Sequence, residues 1–271
     1  MIAGRIVCKQ QKTPEWYQAR LGKVTASNIG RALKMVAKGS VKRGDKRFES
    51  STLRAGYIRD IAWELITRVP TDHYVSPAMD VGAAYESEAR VEYWQACGEE
   101  VEETGFVLHP TLDYLGCSPD GFRPKARRIV EIKVPQLKTH EDYLMADVVP
   151  AEYVPQLQCA MLCFGYEDAD FVSYAPPDVY EDFPDDLRLF VKPLRADFAM
   201  HAQMEQAATE VMEGAVKLVQ SLTARYPQLA QPMPKRTLEP VLERMVQPYD
   251  DSREFWDAVE LPGEDGTVVA P

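Results

Sequence analysis

The stretch RRIVEIKVP, from Arg127 to Pro135, constrains the fold more than any other part of this chain of 271 residues. Its residues alternate with the period of a β-strand, whose successive side chains point to opposite faces. Val130, Ile132 and Val134 point one way, and Ile129, Glu131 and Lys133 the other. A strand this apolar belongs inside a sheet covered on both faces. The second face therefore carries a carboxylate and an amine into a buried layer. Such a pair is either an ordinary ion pair or a pair of working groups.

Around this strand the periodicity changes twice. TPEWYQARLGKVTASNIGRALK suggests a short helix near 14–20 and a second one after the Thr25/Ser27 cap region. STLRAGYIRDIAWELITRV has apolar residues at helical spacing, Leu53, Tyr57, Ile61 and Leu65. Another helix is expected from after Asp80 to Gly98. Three short strand-like runs follow, GFVLHP, YLGCSPDG and RIVEIKVP, with HPTLD and DGFRPKA as turns between them. After Pro135 comes a polar stretch, then a helix at 151–165, a strand in DADFVSYAP and a fifth in LRLFVKPL. A long amphipathic helix is expected from Ala196 to Ala224. The layout predicts an α/β core, a central mixed sheet flanked by helices, over residues 1–225. Residues 226–271 are proline-rich and acidic, and read as an extension outside that core.

The net charge of −11 speaks against a polyanionic partner, but its distribution does not. Residues 1–60 hold 14 Lys and Arg against 4 Asp and Glu, a balance of +10, and the remainder holds 17 against 38. A basic segment can face a polyanion while the acidic remainder limits indiscriminate binding. Lys38, Lys42, Arg43, Lys46 and Arg47 concentrate that charge in one loop. The alternative is a solvated loop. The five cysteines contain no CxxC, so Cys159 and Cys163, four apart, are read as core packing. No apolar run reaches the roughly 18 residues of a membrane span. The N-terminus has no long apolar stretch of the signal-peptide kind, so a cytoplasmic protein is expected.

SPDG places Asp120 at a strand end beside a turn. If 113–118 and 128–134 pair as a hairpin, Asp120 lies near Glu131. Two adjacent carboxylates repel unless a cation neutralises them, and oxygen ligands suit Mg²⁺ or Mn²⁺. Lys133 could then orient or deprotonate a water, or steady a charged transition state. A Glu–Lys cross-strand pair with a turn aspartate is the plainer reading, and the short pattern alone favours it.

The surrounding residues change that weighing. Pro119-Asp120 followed by Glu131-Ile132-Lys133 resembles the signature of the PD-(D/E)xK nuclease superfamily. EWYQARLGKVTAS (15–27), GAAYESEAR (82–90), GCSPDG (116–121), EIKVP (131–135) and PQLQCAM (155–161) resemble, in order and spacing, the phage lambda exonuclease or YqaJ-type viral recombinase family. The resemblance spans roughly residues 14–200. It implies a restriction-endonuclease-like core and a 5′→3′ exonuclease on linear double-stranded DNA. It also implies dependence on Mg²⁺, with two ions per site and Mn²⁺ as a substitute. The product would be a 3′ single-stranded overhang, passed to a single-strand annealing protein. A ring-shaped homotrimer in the cytoplasm of a bacterial host is implied as well.

Carried onto this chain, the resemblance makes Asp120, Glu131 and the Ile132 carbonyl metal ligands. Lys133 would act on the attacking water. Glu86 would serve a second metal or its waters, with an i,i+4 pair to Arg90 as the plainer reading. Gln156, and less directly Gln158, would bond near the scissile phosphate. Arg20 and Ser27, with Thr25 beside them, match a pocket for the DNA 5′-phosphate. An Arg fork and hydroxyls at a helix N-terminus suit that anion. Trp16 reads as a core anchor. His73, His109, His140 and His201 fall in no motif and read as surface or supporting residues. Competing readings are a PD-(D/E)xK endonuclease, a RecB- or Cas4-type nuclease, a catalytically silent DNA-binding or assembly module, and a carboxylate-pair glycosidase. The cysteine arrangement disfavours Cas4, the TAS segment a restriction enzyme, the filled motif positions a silent module, and Lys133 a glycosidase.

Overall fold

The computed structural model describes residues 2–37, 48–71 and 77–230. The basic loop at 38–47 and the extension beyond Ala230 lie outside the described residues, as does His73. The described elements belong to one unit, Met1–Leu238. Among the described residues no helix is long and apolar enough to cross a membrane.

The chain opens with β1 (Arg5–Cys8), α1 (Pro14–Arg20) and β2 (Val24–Thr25). Thr13 caps α1, its side chain accepting from the Trp16 amide, and Pro14 takes the first helical position, where no N–H is needed. A 3₁₀ turn (Ala26–Asn28) leads into α2 (Ile29–Leu33). β3 (Met35–Ala37) and β4 (Phe48–Ser50) form a two-stranded ribbon. Two long helices follow, α3 (Thr52–Thr67) and α4 (Pro77–Cys97). Next come β5 (Phe106–Leu108), β6 (Leu115–Cys117), β7 (Gly121–Arg123) and β8 (Arg128–Lys133). α5 (Leu137–Ala146) and α6 (Val154–Phe164) lead to β9 (Asp168–Tyr174), β10 (Leu189–Arg195) and α7 (Phe198–Arg225).

The strands make two four-stranded sheets instead of the single central sheet expected. One runs β1-β5-β6-β2 and the other β10-β9-β8-β7. β8 and β9 are parallel, joined through α5 and α6, while β10 and β7 flank them antiparallel. The β6–β8 hairpin does not form. β6 pairs with β5 and β2, and β7, inside the segment read as a turn, pairs with β8. Gly121 therefore opens a strand. A Cβ there would lie 2.4 Å from Val101, so packing requires glycine at this position.

β8 is covered on both faces, as its alternation demands. Val130, Ile132 and Val134 pack with Ala89 and Tyr93 of α4, and Ile129 packs with the larger core that holds Leu157 and Phe164 of α6. Cys117, Cys159 and Cys163 are free and buried in that larger core. Two helices differ from expectation. In α3, Tyr57 and Ile61 are buried as expected, but Leu53 is exposed, and Arg54, Ala62 and Ile66 are buried beside them. α5 replaces the polar stretch, held by His140 and Tyr143 on one short face.

Candidate active site

Glu131 lies on the face of β8 turned to α6, and 1% of it is exposed. Two groups meet its Oε1. Lys133 Nζ, two residues along the same face, donates at 2.5 Å. Gln156 Nε2, from the first turns of α6, also donates at 2.5 Å. The other oxygen, Oε2, is buried with no hydrogen-bond partner among the described residues. A buried carboxylate oxygen left unsatisfied costs stability, so the site is incomplete in electrostatic terms.

Asp120 reaches the same place from the loop between β6 and β7. β7 is too short to pair with all of β8, and its register ends at Gly121 opposite Val130. Beyond that point the Ile132 N–H has no strand partner on this side, and it donates to Asp120 Oδ2 at 2.7 Å. A strand residue directs its N–H and C=O to the same side. The Ile132 carbonyl therefore faces the same opening. Lys133 Nζ lies 3.6 Å from Asp120 Oδ2. Glu86, on α4, is bound by Arg90 Nη2 at 2.9 Å and Lys12 Nζ at 3.4 Å. Arg90 also donates from Nε to the Asp120 carbonyl and from Nη1 to Glu103. The i,i+4 pair is thus formed, and Arg90 links Glu86 to the Asp120 loop.

The three carboxylates feel one another. Burial first and Asp120 second push Glu131 up to about 7, against the pull of Lys133. Burial and Asp120 also raise Glu86. Burial opposes the charge on Lys133, but Glu131 and Asp120 outweigh it and hold the ammonium protonated above its ordinary range. Among the described residues no three His, Cys, Asp or Glu side chains are gathered to hold an ion by themselves. Two carboxylates with a backbone carbonyl and an unsatisfied Oε2 do fit a hard cation that keeps several waters, as Mg²⁺ does. Glu86, engaged by Arg90 and Lys12, stands apart from that donor set.

A pocket of about 160 Å³ joins Glu131 and Gln156 to Trp16, Arg20, Ser27, Ser118 and Gln11. Arg20 lies over the Trp16 ring at 4.2 Å and donates to Ser118 Oγ at 3.3 Å. It has no ion-pair partner among the described residues, and burial pulls its pKa below the ordinary arginine value. Trp16 is half-buried and donates from Nε1 to Ser118 Oγ at 2.8 Å, so it walls the pocket instead of anchoring the core. Ser27 is exposed at the rim. Its turn is a single 3₁₀ turn before a five-residue helix, so a dipole from a long helix is not available there. Thr25 is buried and turned to Ser27 and Asn28.

Gln158 is not brought to the site. Its amide donates to the Arg195 carbonyl, and its oxygen accepts from Asp197 N and His201 Nε2, which ties α6 to the start of α7. His109, His140 and His201 are buried with polar partners, so they are internal residues and not surface ones. Ser118 was not singled out from the sequence, although it stands in SPDG two residues before Asp120. Gln11 was missed as well, and no motif marks it.

The chain resembles known proteins over most of this architecture. The model of the YqaJ-like viral recombinase domain matches residues 15–167. Two crystal structures of LHK-Exo, an alkaline exonuclease from Laribacter hongkongensis, align at 29% identity with TM-scores of 0.68 and 0.67. One of them contains dAMP, and both alignments cover 80% of this chain and 100% of theirs. A phage-related exonuclease from Haemophilus somnus 129PT aligns at 16% identity with a TM-score of 0.57, covering 74% of this chain and 96% of its own, a likeness in fold alone. No curated protein matches the chain. The α/β core is restriction-endonuclease-like, as expected.

Proposed function

The chain belongs to the YqaJ-like viral recombinase domain family, and from that premise we propose that it is a metal-dependent 5′→3′ exonuclease. Its substrate is linear duplex DNA with a 5′-phosphorylated end, and its product is a 3′ single-stranded overhang. The observation that carries the reading is the shared pocket. A guanidinium with no ion-pair partner among the described residues, flanked by Ser27 and Ser118, opens onto the same space as Glu131 and Gln156. A phosphate-binding end beside a hydrolytic centre suits an enzyme that measures from a strand terminus. The alkaline exonuclease relatives support the same class.

In this reading Arg20, Ser27 and Ser118 hold the terminal 5′-phosphate, with the Arg fork supplying paired donors. Asp120, Glu131 and the Ile132 carbonyl would hold Mg²⁺, or Mn²⁺ in its place, and Glu86 would serve the waters of a second ion. A divalent cation supplies Lewis-acid polarisation of the phosphodiester and eases formation of hydroxide from water. Water oxygen attacks phosphorus, the P–O3′ bond breaks, and the 3′-oxygen leaves with a proton. The released nucleotide keeps its 5′-phosphate and gains a 3′-hydroxyl. The shortened strand again begins with a 5′-phosphate, so the end pocket can be refilled. Lys133, held as a fixed cation, is suited to steadying the charged transition state more than to taking a proton. Gln156 orients Glu131 and faces the reacting phosphate. A ring-shaped homotrimer and an annealing protein that takes up the overhang complete the proposal, on the strength of the family resemblance.

End-labelled duplex is the test. Digestion in Mg²⁺ is expected to start at 5′-phosphorylated ends and to slow when that phosphate is absent. Equal digestion of covalently closed circles would sink the reading. Mg²⁺ is also expected to raise the melting temperature of the wild type and to leave that of Glu131→Gln little changed.

A further inference from the structure

The Asp120 carboxylate is only as well placed as the loop that carries it. That loop, Ser118–Asp120, is the passage from β6 in one sheet to β7 in the other. Four of its polar groups are held by residues outside the loop. Ser118 Oγ accepts from Trp16 and Arg20, the Asp120 carbonyl from Arg90, and Asp120 Oδ2 from the Ile132 amide. The Pro119 carbonyl accepts from Gln11 Nε2 at 2.8 Å, and the same nitrogen lies 3.2 Å from the Thr104 carbonyl. Pro119 has no N–H of its own, so this carbonyl is its one backbone handle.

Gln11 reaches across 108 residues of sequence to make that bond. It lies in the β1–α1 connection, next to Lys12, whose φ of 60° is left-handed and uncommon for a residue with a Cβ. Two cavities meet at Gln11. It lines the pocket that holds Arg20, Ser118 and Glu131, and it also lines a cavity of about 420 Å³ beside Lys12, Glu86 and Glu103. Its carboxamide is thus a wall between the end-binding pocket and the side on which Glu86 stands.

We infer that Gln11 is a positioning residue, which sets the Asp120 carboxylate for its cation by holding the Pro119 carbonyl. The inference rests on the nuclease reading above. It needs a donor at the end of a four-atom side chain, which glutamine supplies and neither methionine nor glutamate does. Glutamate would set a carboxylate against two carbonyl oxygens. Partners that orient a metal-binding carboxylate typically change metal affinity or activity by about 10–100-fold when removed.

The test uses the full chain with Gln11→Met and Gln11→Glu beside the wild type. Expected in both variants is a turnover about tenfold lower, with KM for 5′-phosphorylated duplex within about threefold, since Arg20, Ser27 and Ser118 are unchanged. The Mg²⁺ concentration for half of the thermal stabilisation should rise by a similar factor. The melting temperature without Mg²⁺ should stay close to the wild type in Gln11→Met. Unchanged turnover and an unchanged Mg²⁺ midpoint would overturn the inference. So would a loss explained wholly by unfolding, with normal turnover per folded molecule. If the wild type shows a Mg²⁺ thermal shift but no digestion, the nuclease reading fails and the Mg²⁺ midpoints still decide the role of Gln11. A wild type with neither overturns both.

Discussion

The two ends of β8 carry charge in opposite ways. At its start, Arg128 Nη1 meets Asp170 Oδ1 at 2.6 Å, and Tyr93 donates to Asp170 Oδ2 at 2.5 Å. Arg123 adds a contact to Asp170 at 3.8 Å and one to Glu99 at 3.3 Å. At its end, Glu131 has an oxygen with no partner among the described residues, Asp120 and Glu86 add repulsion, and Lys133 and Gln156 answer only one side. The same sheet thus holds one buried carboxylate, Asp170, with partners on both oxygens, and another, Glu131, with partners on Oε1 alone among the described residues. A carboxylate paired on both oxygens fixes the fold. One paired on a single oxygen is held in place by its surroundings and would gain most from a cation. Perturbed carboxylates in a cleft mark function for this reason.

The comparison breaks most visibly at Glu131. Glu131→Ala, and separately Lys133→Ala, is expected to lower digestion of 5′-phosphorylated duplex by about 10³-fold, while Lys133→Ala still retains DNA in a binding assay. Near-normal turnover in either variant would show that the deficient end is not the working end. Asp170→Ala tests the other side. Removing one partner of a buried pair costs about 3–5 kcal/mol, read as a lower denaturant midpoint, with turnover per folded molecule little changed. Activity lost in proportion at constant stability would contradict the division.

A pH series sharpens the same contrast. The folded-state value for Glu131, about 7, lies above the unfolded carboxylate value, so the folded chain holds the proton more tightly. Metal-free protein should therefore lose stability as pH rises from about 4.3 to about 7, and Glu131→Gln should flatten that slope. Melts in a chelator check it, and a slope equal in both proteins would contradict it. The smallest effect is expected at Ser118. Ser118→Ala removes an acceptor shared by Trp16 and Arg20, and should reduce the preference for a 5′-phosphate by about 1 kcal/mol, near fivefold in the ratio of rates on phosphorylated and unphosphorylated ends.

Much of this was legible in the sequence because it rests on period and cap. The two faces of β8 follow from strict alternation. α1 follows from Thr13 and Pro14, and α7 from a long amphipathic repeat. Glu131 and Lys133 could be placed on one face without any coordinate. Other parts had no such mark. β7 is three residues long, too short to show a period, and its glycine looked like a turn because the packing of Val101 against it lies elsewhere in the chain. α5 keeps only His140 and Tyr143 buried, so its apolar face was too sparse to read. Gln158 shared a helix with Gln156, and only the position of Arg195, Asp197 and His201 showed that it faces the other way.

The sequence by itself determined the α/β class, the buried strand and the pairing of an acid with an amine on one of its faces, since local geometry fixes these. Only the tertiary structure decided that β7 stops short and frees the Ile132 amide for Asp120, and that Gln11 and Ser118 brace the loop between the sheets. Those contacts join residues a dozen to a hundred or more positions apart, or depend on where one strand ends, and neither leaves a trace in a local pattern of residues.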